Sequence, residues 1–424
     1  MTPMWLTLVI LLLTIIAFLS GKVPVSIISM GIILLLIIFK ILTPAQAFGG
    51  FIDTNVIMFA GMFVIGAGIT KTSILQKTEN MVIRYKDSPR KLMFIACLAG
   101  ALLGLLTSAT SGTAILLPLL VGIAVSINVS KKQLLFPAAV CANIAAGSTF
   151  LGVGASNMTW SSVMMKLGAK TPLSMGSFTW ARLPFIIVTI LYMVFIAPKL
   201  LPKSDDKKVD GDDLKRQDLG STLSPFKEKI AIIIIISTIL LMILSTYIHV
   251  PIYLISTIGA VLLVVFGVMN EREALGAIKL PTIFLFGGVL ALSDALTKTG
   301  AGDLVASAIT SIIGDTKNTL IIMFVFFTIP FIVTQLMSNI ATIAIFVPLV
   351  TSAALKLGFD PRAAVLAVVT AGCCSFLTPL ASPPQTMIMQ VGGYKLWDYL
   401  KAGLPLAVIM MLMGSFIFQM IYPL

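Results

Sequence analysis

Apolar stretches of about 15–20 residues, long enough to cross or nearly cross a hydrocarbon core as helices, recur along nearly the whole chain between short clusters of Lys, Arg and small polar residues. They predict spans near residues 4–20, 23–43 and 55–72. A paired stretch follows at 92–107 and 114–128, interrupted by the polar string Thr107-Ser-Ala-Thr-Ser-Gly-Thr113. Arg90-Lys91 precedes this pair and Lys131-Lys132 follows it, so both outer ends should lie on one side and the pair should form a re-entrant hairpin with its tip at membrane depth. A span at 133–165, broken near Gly147-Ser-Thr149 and Gly152-Val-Gly-Ala-Ser-Asn157, and a span at 180–198 complete this half.

After a polar stretch the same plan returns: spans near 230–247, 252–269 and 282–299, a hairpin over 318–356 with its tip at Ser338-Asn339, a broken span over 362–390 and a last span over 404–422. The repetition is also visible residue by residue. Val23-Pro24 answers to Val250-Pro251, Phe59-Ala-Gly61 to Phe286-Gly-Gly288, and Thr70-Lys71-Thr72 to Thr297-Lys298-Thr299, all at one offset. Ser108 to Pro118 answers in the same way to Ser338 to Pro348. Each copy thus holds five full crossings, one of them a broken helix, plus one re-entrant hairpin. Five is odd, so the second copy enters from the opposite side, and the expected fold is an all-α polytopic membrane protein of two inverted repeats. Residues 1–201 form the first repeat, 202–229 a linker and 230–424 the second.

The composition agrees: 58% hydrophobic, 11% charged and a mean hydropathy of +1.06 over 424 residues exclude an ordinary soluble domain. The formal charge of +12 reads as positive-inside topology rather than nucleic-acid binding, because Lys and Arg sit in short loops. With the N-terminus outside, 21 of the 29 Lys and Arg fall on the cytoplasmic side and 8 outside. Both termini are therefore expected outside and the linker in the cytoplasm. The stretch from Met4 to Ser20 lacks a basic leader and a small-x-small cleavage pattern, so it reads as a mature helix. Cys97, Cys141, Cys373 and Cys374 show no metal-ligand spacing and read as buried thiols. The lone His249 beside Val250-Pro251 reads as structural. The aspartates from Asp205 to Asp213 lack EF-hand spacing and read as a solvated linker.

Chemistry is expected where the apolar pattern breaks. Non-helical backbone at membrane depth persists only when buried in protein or lining a cavity. Free N–H groups at half-helix N-termini favour an anion, whereas released carbonyls and hydroxyls offer hard oxygen ligands to a cation such as sodium. Pro383-Pro384 cannot continue a hydrogen-bonded helix and releases carbonyls nearby. Two such strings at matching repeat positions, each followed by a second polar break, point to a site rather than to helix packing alone. Asp294 is the one acid well inside an expected span, and Lys298, four residues on, is placed for a local ion pair with it. Gly100-x-x-x-Gly104 reads as a close helix contact.

The second copy's Ser338-Asn339, its string Ala381-Ser382-Pro383-Pro384-Gln385 and the ending Gly392-Gly-Tyr-Lys-Leu-Trp-Asp-Tyr-Leu-Lys-Ala-Gly-Leu-Pro405 resemble the divalent anion/sodium symporter (dicarboxylate/sulfate permease) family of the ion transporter superfamily. The resemblance spans nearly the whole chain apart from the family's extra first helix. It implies that Ser108, Thr110, Ser338, Asn339, Ser382 and Pro383 bind substrate. It also implies that Thr334, the Met337 carbonyl, Asn339 and the Ala381 carbonyl hold a sodium ion. Ser108 and Gly152, the latter in one of two registers, stand at a first-copy sodium site. Four positions depart from the family: Ala109 for the tip Asn, Gly104 for a sodium-binding Ser, Ile340 for the second Thr and Gln385 for the terminal Asn.

The expected function is secondary active transport of small anions, dicarboxylate-like organic acids coupled to sodium, by an elevator motion in a homodimer within the lipid bilayer. A cation/proton antiporter or metalloid-oxyanion efflux permease of the same superfamily is the alternative, motivated by Asp294. A membrane enzyme is remote, because one His and few intramembrane acids offer no converging acid, base or nucleophile. No cofactor beyond the coupling ion and no nucleic-acid partner is expected.

Overall fold

The computed structural model describes residues 2–20, 22–73, 89–126, 129–149, 151–202, 223–244, 248–302, 304, 307, 318–336, 338–379 and 382–423. Most of the basic loop at 77–91, the centre of the linker, and Met337 and Ala381 lie outside them.

The described residues are helical, as embedded segments must be to satisfy their own backbone. In the first copy α1 (Pro3–Ser20), α2 (Val25–Ile38), α3 (Pro44–Phe48) with a 3-10 turn (Gly49–Ile52), and α4 (Thr54–Thr70) come first. Then follow α5 (Pro89–Leu106), α6 (Ala109–Ser126), α7 (Lys132–Ala145), a 3-10 turn (Gly152–Ser156), α8 (Asn157–Lys166), α9 (Met175–Phe195) and the short α10 (Ala197–Leu200). The second copy repeats the order with α11 (Pro225–Ile243), α12 (Ile252–Val265), α13 (Glu271–Ala277), α14 (Leu280–Thr299), α15 (Thr319–Val333), α16 (Asn339–Lys356), α17 (Pro361–Cys373), α18 (Pro383–Gly392) and α19 (Leu396–Ile421).

Several boundaries differ from expectation, among them α9, which begins at Met175 rather than 180, and α19, which begins at Leu396 rather than 404. The helix of the first tip begins at Ala109 rather than 114, because Ser108 caps it and the rest of the polar string is helical. Helix α11 begins at Pro225, taking its first turn from the expected linker, with Pro at the favoured first position. Helices α2 and α12 have 14 residues each, short of the roughly 20 a straight crossing needs. Among the described residues α9, α14, α16 and α19 are long and apolar enough to cross alone. A wide apolar exterior, including Leu12, Ile16, Phe195, Ile233 and Val265, all more than half exposed, fits a bilayer and not water.

The helices pack into two groups, and each group takes elements from both copies. In the first, α2 lies on α14 and α12 lies on α4. The contacts are equivalent: a Cβ on Gly61 would come within 2.9 Å of the Ser256 backbone, and one on Gly288 within 2.8 Å of Ser29. The glycines that repeat along the sequence are thus the points where backbones touch. In the second group α5 crosses α7, with Gly100 and Gly104 so close to the Ala138 and Ala142 carbonyl oxygens that a Cβ on either would collide with them. The pattern is a close helix contact, as the spacing predicts. Phe185, Phe327 and Phe418 stack there across α9, α15 and α19. The four cysteines are unpaired thiols, and His249 lies exposed in a left-handed turn beside Val250.

Candidate functional site

In each copy a serine of the polar string caps the helix that follows it. Ser108 Oγ accepts from Ser111 N at 3.1 Å at the start of α6, and Ser338 Oγ accepts from Ala341 N at 3.3 Å at the start of α16. Each cap satisfies one free N–H and leaves the others of the first turn available. The breaks in the following helices fold against these tips in the same manner. Thr149 Oγ1 donates to the Leu105 carbonyl at 3.1 Å, and Thr378 Oγ1 donates to the Gln335 carbonyl at 2.7 Å. In each copy, therefore, a threonine of the break is tied to the end of the helix that precedes the capping serine.

Between the two helix groups lies a cavity of about 260 Å³. It brings together Ser108, Thr110, Ser338, Asn339, Ser382 and Pro383, the six substrate positions of the sequence reading. The departures Ala109 and Ile340 also line it, whereas Gln385 does not. Phe63 of α4 and Lys279, Thr282 and Phe286 at the start of α14 form the opposite wall. Trp160 of α8 packs edge-on against Phe286 at 4.7 Å between ring centres and is fully buried. A smaller cavity of about 190 Å³ shares Phe63, Ser108, Val153 and Lys279 and continues to Ala277.

The sodium positions of the second copy converge as far as they are described. Thr334 Oγ1 is fully buried, donates to the Gly372 carbonyl at 3.0 Å and stands 3.3 Å from Asn339 Oδ1. Hydroxyl and amide oxygens of this kind suit a hard cation, and among the described residues no His, Cys, Asp or Glu cluster could hold a softer one. In the first copy the position of Thr334 is Gly104, pressed against α7, and that of Asn339 is Ala109. Gly152 opens the 3-10 turn beside the lining residue Val153.

Asp294 does not pair with Lys298. Its carboxylate receives Lys166 Nζ of α8 at 2.7 Å, while Lys298 Nζ donates to Gln46 Oε1 at 3.3 Å. Helical spacing permitted the local pair, but α8 packs directly on α14 and delivers a competing ammonium.

Four contributors were missed by sequence reasoning. Arg182 of α9 is buried and lines the cavity. It donates from Nη1 to the Ala146 carbonyl at 2.7 Å and from Nη2 to the Val369 carbonyl at 2.8 Å, and its Nε has no partner among the described residues. Its position near the start of the expected span at 180–198 reads as a topology charge; only in the structure, where α9 begins at Met175, does it stand well inside the helix. Lys279 passed as a loop charge for the same reason. Asn143 of α7 donates to the Ser375 carbonyl and hydroxyl at 2.8 and 2.7 Å and so holds the second break from the first copy. Gln335 clamps the same break: Nε2 donates to the Cys374 carbonyl at 2.9 Å, and Oε1 accepts from Phe376 N and Leu377 N at 3.1 and 2.9 Å. Single polar residues in apolar helices carried no motif.

The sequence profile of the citrate transporter family matches residues 15–371. An uncharacterized transporter of Synechocystis sp. is 30% identical over 172 residues, 41% of this chain and 28% of that protein's length. The sodium-dependent dicarboxylate transporter SdcS of Staphylococcus saprophyticus is 19% identical over 410 residues, 88% of this chain and 78% of that one. Among solved structures, the YdaH transporter of Alcanivorax borkumensis aligns with a TM-score of 0.65 at 15% identity, covering 90% of this chain and 87% of that one, and shares the fold.

Proposed function

The chain belongs to the citrate transporter family of multi-pass membrane transporters, and from that premise we propose that it carries a small di- or tricarboxylate together with sodium. One observation carries the reading: hydroxyl and amide groups at the N-termini of α6, α16 and α18 converge from both copies on one cavity whose described lining has two cationic side chains and no acid. Helix N-termini favour an anion, and the cavity's size is near the lower end of small-molecule sites, about 300 Å³. Thr334 and Asn339 support sodium as the co-transported ion, because a cation bound first lowers the electrostatic cost of bringing an anion to membrane depth.

The proposal includes an elevator motion in which the group carrying the tips moves against the group carrying Phe63 and Phe286. The cavity's place between the groups supports it. Both termini belong outside in the same proposal, which puts the Ala277 and Lys279 side of the cavity toward the cytoplasm. The two sequence repeats are then inverted in the membrane, with the boundary in 202–229. A homodimer through exposed apolar positions of α12 such as Ile258, Val261 and Val265 belongs to the same proposal. Uptake of labelled citrate, succinate and sulfate into proteoliposomes, with and without a sodium gradient, tests it. Sodium-stimulated uptake of at least one is expected; no uptake of any of the three under either condition overturns the reading.

A further inference from the structure

The two tips are unequal, and a fixed charge stands on the poorer side. The second copy offers Thr334 and Asn339 as oxygen ligands, whereas the same positions in the first copy are Gly104 and Ala109. Gly104 cannot gain a side chain without moving α7, since its Cβ would meet the Ala142 carbonyl at 2.3 Å. The first-copy break is instead occupied by the Arg182 guanidinium, bonded to the Ala146 carbonyl just before Gly147. Arg182 is 1% exposed, forms no ion pair among the described residues, and has a buried Nε–H without a partner. It lines the same cavity as Ser108 and Asn339. A guanidinium has five donors in a planar fork matched to a carboxylate, and among the described residues it makes only two bonds, both to carbonyls. A buried cation without a counter-charge is costly, and a cavity without an acid supplies none.

Resting on the anion-transport reading above, we infer that Arg182 is the specificity-determining cation of the site: its guanidinium receives one carboxylate of the substrate on the first-copy side, while the Ser338-Asn339 tip and its sodium receive the other. A fixed side-chain charge thus does in the first copy what a bound cation does in the second. The substrate class follows as anions carrying two separated carboxylates. Their singly amidated analogues are of equal size but keep only one carboxylate, so Arg182 and the sodium-bearing tip cannot both hold one.

The test is thermal stabilisation of the purified full-length protein in saturating sodium by succinate, its monoamide succinamate, citrate and sulfate, for the wild type, Arg182→Lys and Arg182→Gln. A ligand that binds the native state raises its apparent stability by mass action, so apparent affinities follow from the titrations. Wild type is expected to prefer succinate to succinamate at least tenfold. Arg182→Gln is expected to bring the two within about twofold of each other, the loss of a charge-assisted pair worth a factor of ten or more, and Arg182→Lys to fall between. Loss of a purely structural tie between Ala146 and Val369 would weaken both ligands alike and leave the ratio intact. A ratio unchanged in Arg182→Gln, or no preference in the wild type, overturns the role of Arg182 while leaving anion transport standing. If Arg182→Gln does not fold, the ratio in Arg182→Lys decides in the same way, and failure of both variants to fold assigns Arg182 to structure. Wild type stabilised by none of the anions overturns the anion reading itself.

Discussion

Asn339 serves two neighbourhoods at once: it lines the cavity and its Oδ1 lies beside the buried Thr334 hydroxyl. Asn339→Ala is therefore expected to abolish both anion- and sodium-dependent stabilisation, whereas Thr334→Val should weaken sodium at least tenfold and the anion only at low sodium. A sodium titration of the melting temperature at fixed citrate checks both; independent effects would contradict a shared site. Gly104 makes the opposite kind of prediction. Gly104→Ala adds one methyl group where α5 and α7 already touch, and overpacking of this kind costs about 1–3 kcal/mol. A lowered melting temperature without ligand is the expected result, with no gain of a second sodium in Gly104→Ser. Ser108 and Ser338 were legible because a polar string inside an apolar stretch has few explanations. Arg182 was not, because a charge near a span's end serves topology far more often than recognition.

The break after α17 is an element held by side chains rather than by its own helix bonds. Gln335 makes four hydrogen bonds around it, to the Phe331 and Cys374 carbonyls and from the Phe376 and Leu377 amides. Gln335→Leu keeps the volume and leaves buried backbone groups unpaired, each costing about 1–3 kcal/mol. Loss of thermal stability together with weakened anion binding is expected; a variant as stable as wild type would show the break to be held otherwise. Where the polar strings and both breaks interrupt the helices was readable from apolar periodicity, from glycine and polar residues and, in the second copy, from proline. How each break is fastened was not, since the partners Gln335 and Leu105 lie 39 to 44 positions away and Asn143 lies in the other copy.

Across the whole molecule, the C-terminal half of α8 ties one helix group to the other. Lys166 pairs with Asp294, and Ser162 Oγ donates to Asp53 Oδ1 at 3.2 Å. If the groups slide past one another, these contacts break in each cycle. An Asp53→Cys/Ser162→Cys pair in a background with the four native cysteines replaced should stop uptake on oxidation and regain it on reduction. Uptake continuing at the wild-type rate after complete cross-linking would rule the motion out. Asp294→Asn should leave the pH dependence of uptake unchanged, because its carboxylate serves an ion pair and not the cavity wall; a shifted pH profile would return Asp294 to the transport path. The amino-acid pattern alone determined that this is a helical membrane protein written twice, where its helices break and which hydroxyl and amide groups stand at the breaks, because periodicity and helix-breaking chemistry are local. Only the tertiary structure decided that the two copies interleave, with α2 on α14 and α12 on α4, that six distant residues face one cavity, and that Arg182 joins them. Which helix packs on which depends on where glycines let two backbones approach, and that is a property of pairs of segments, not of either segment.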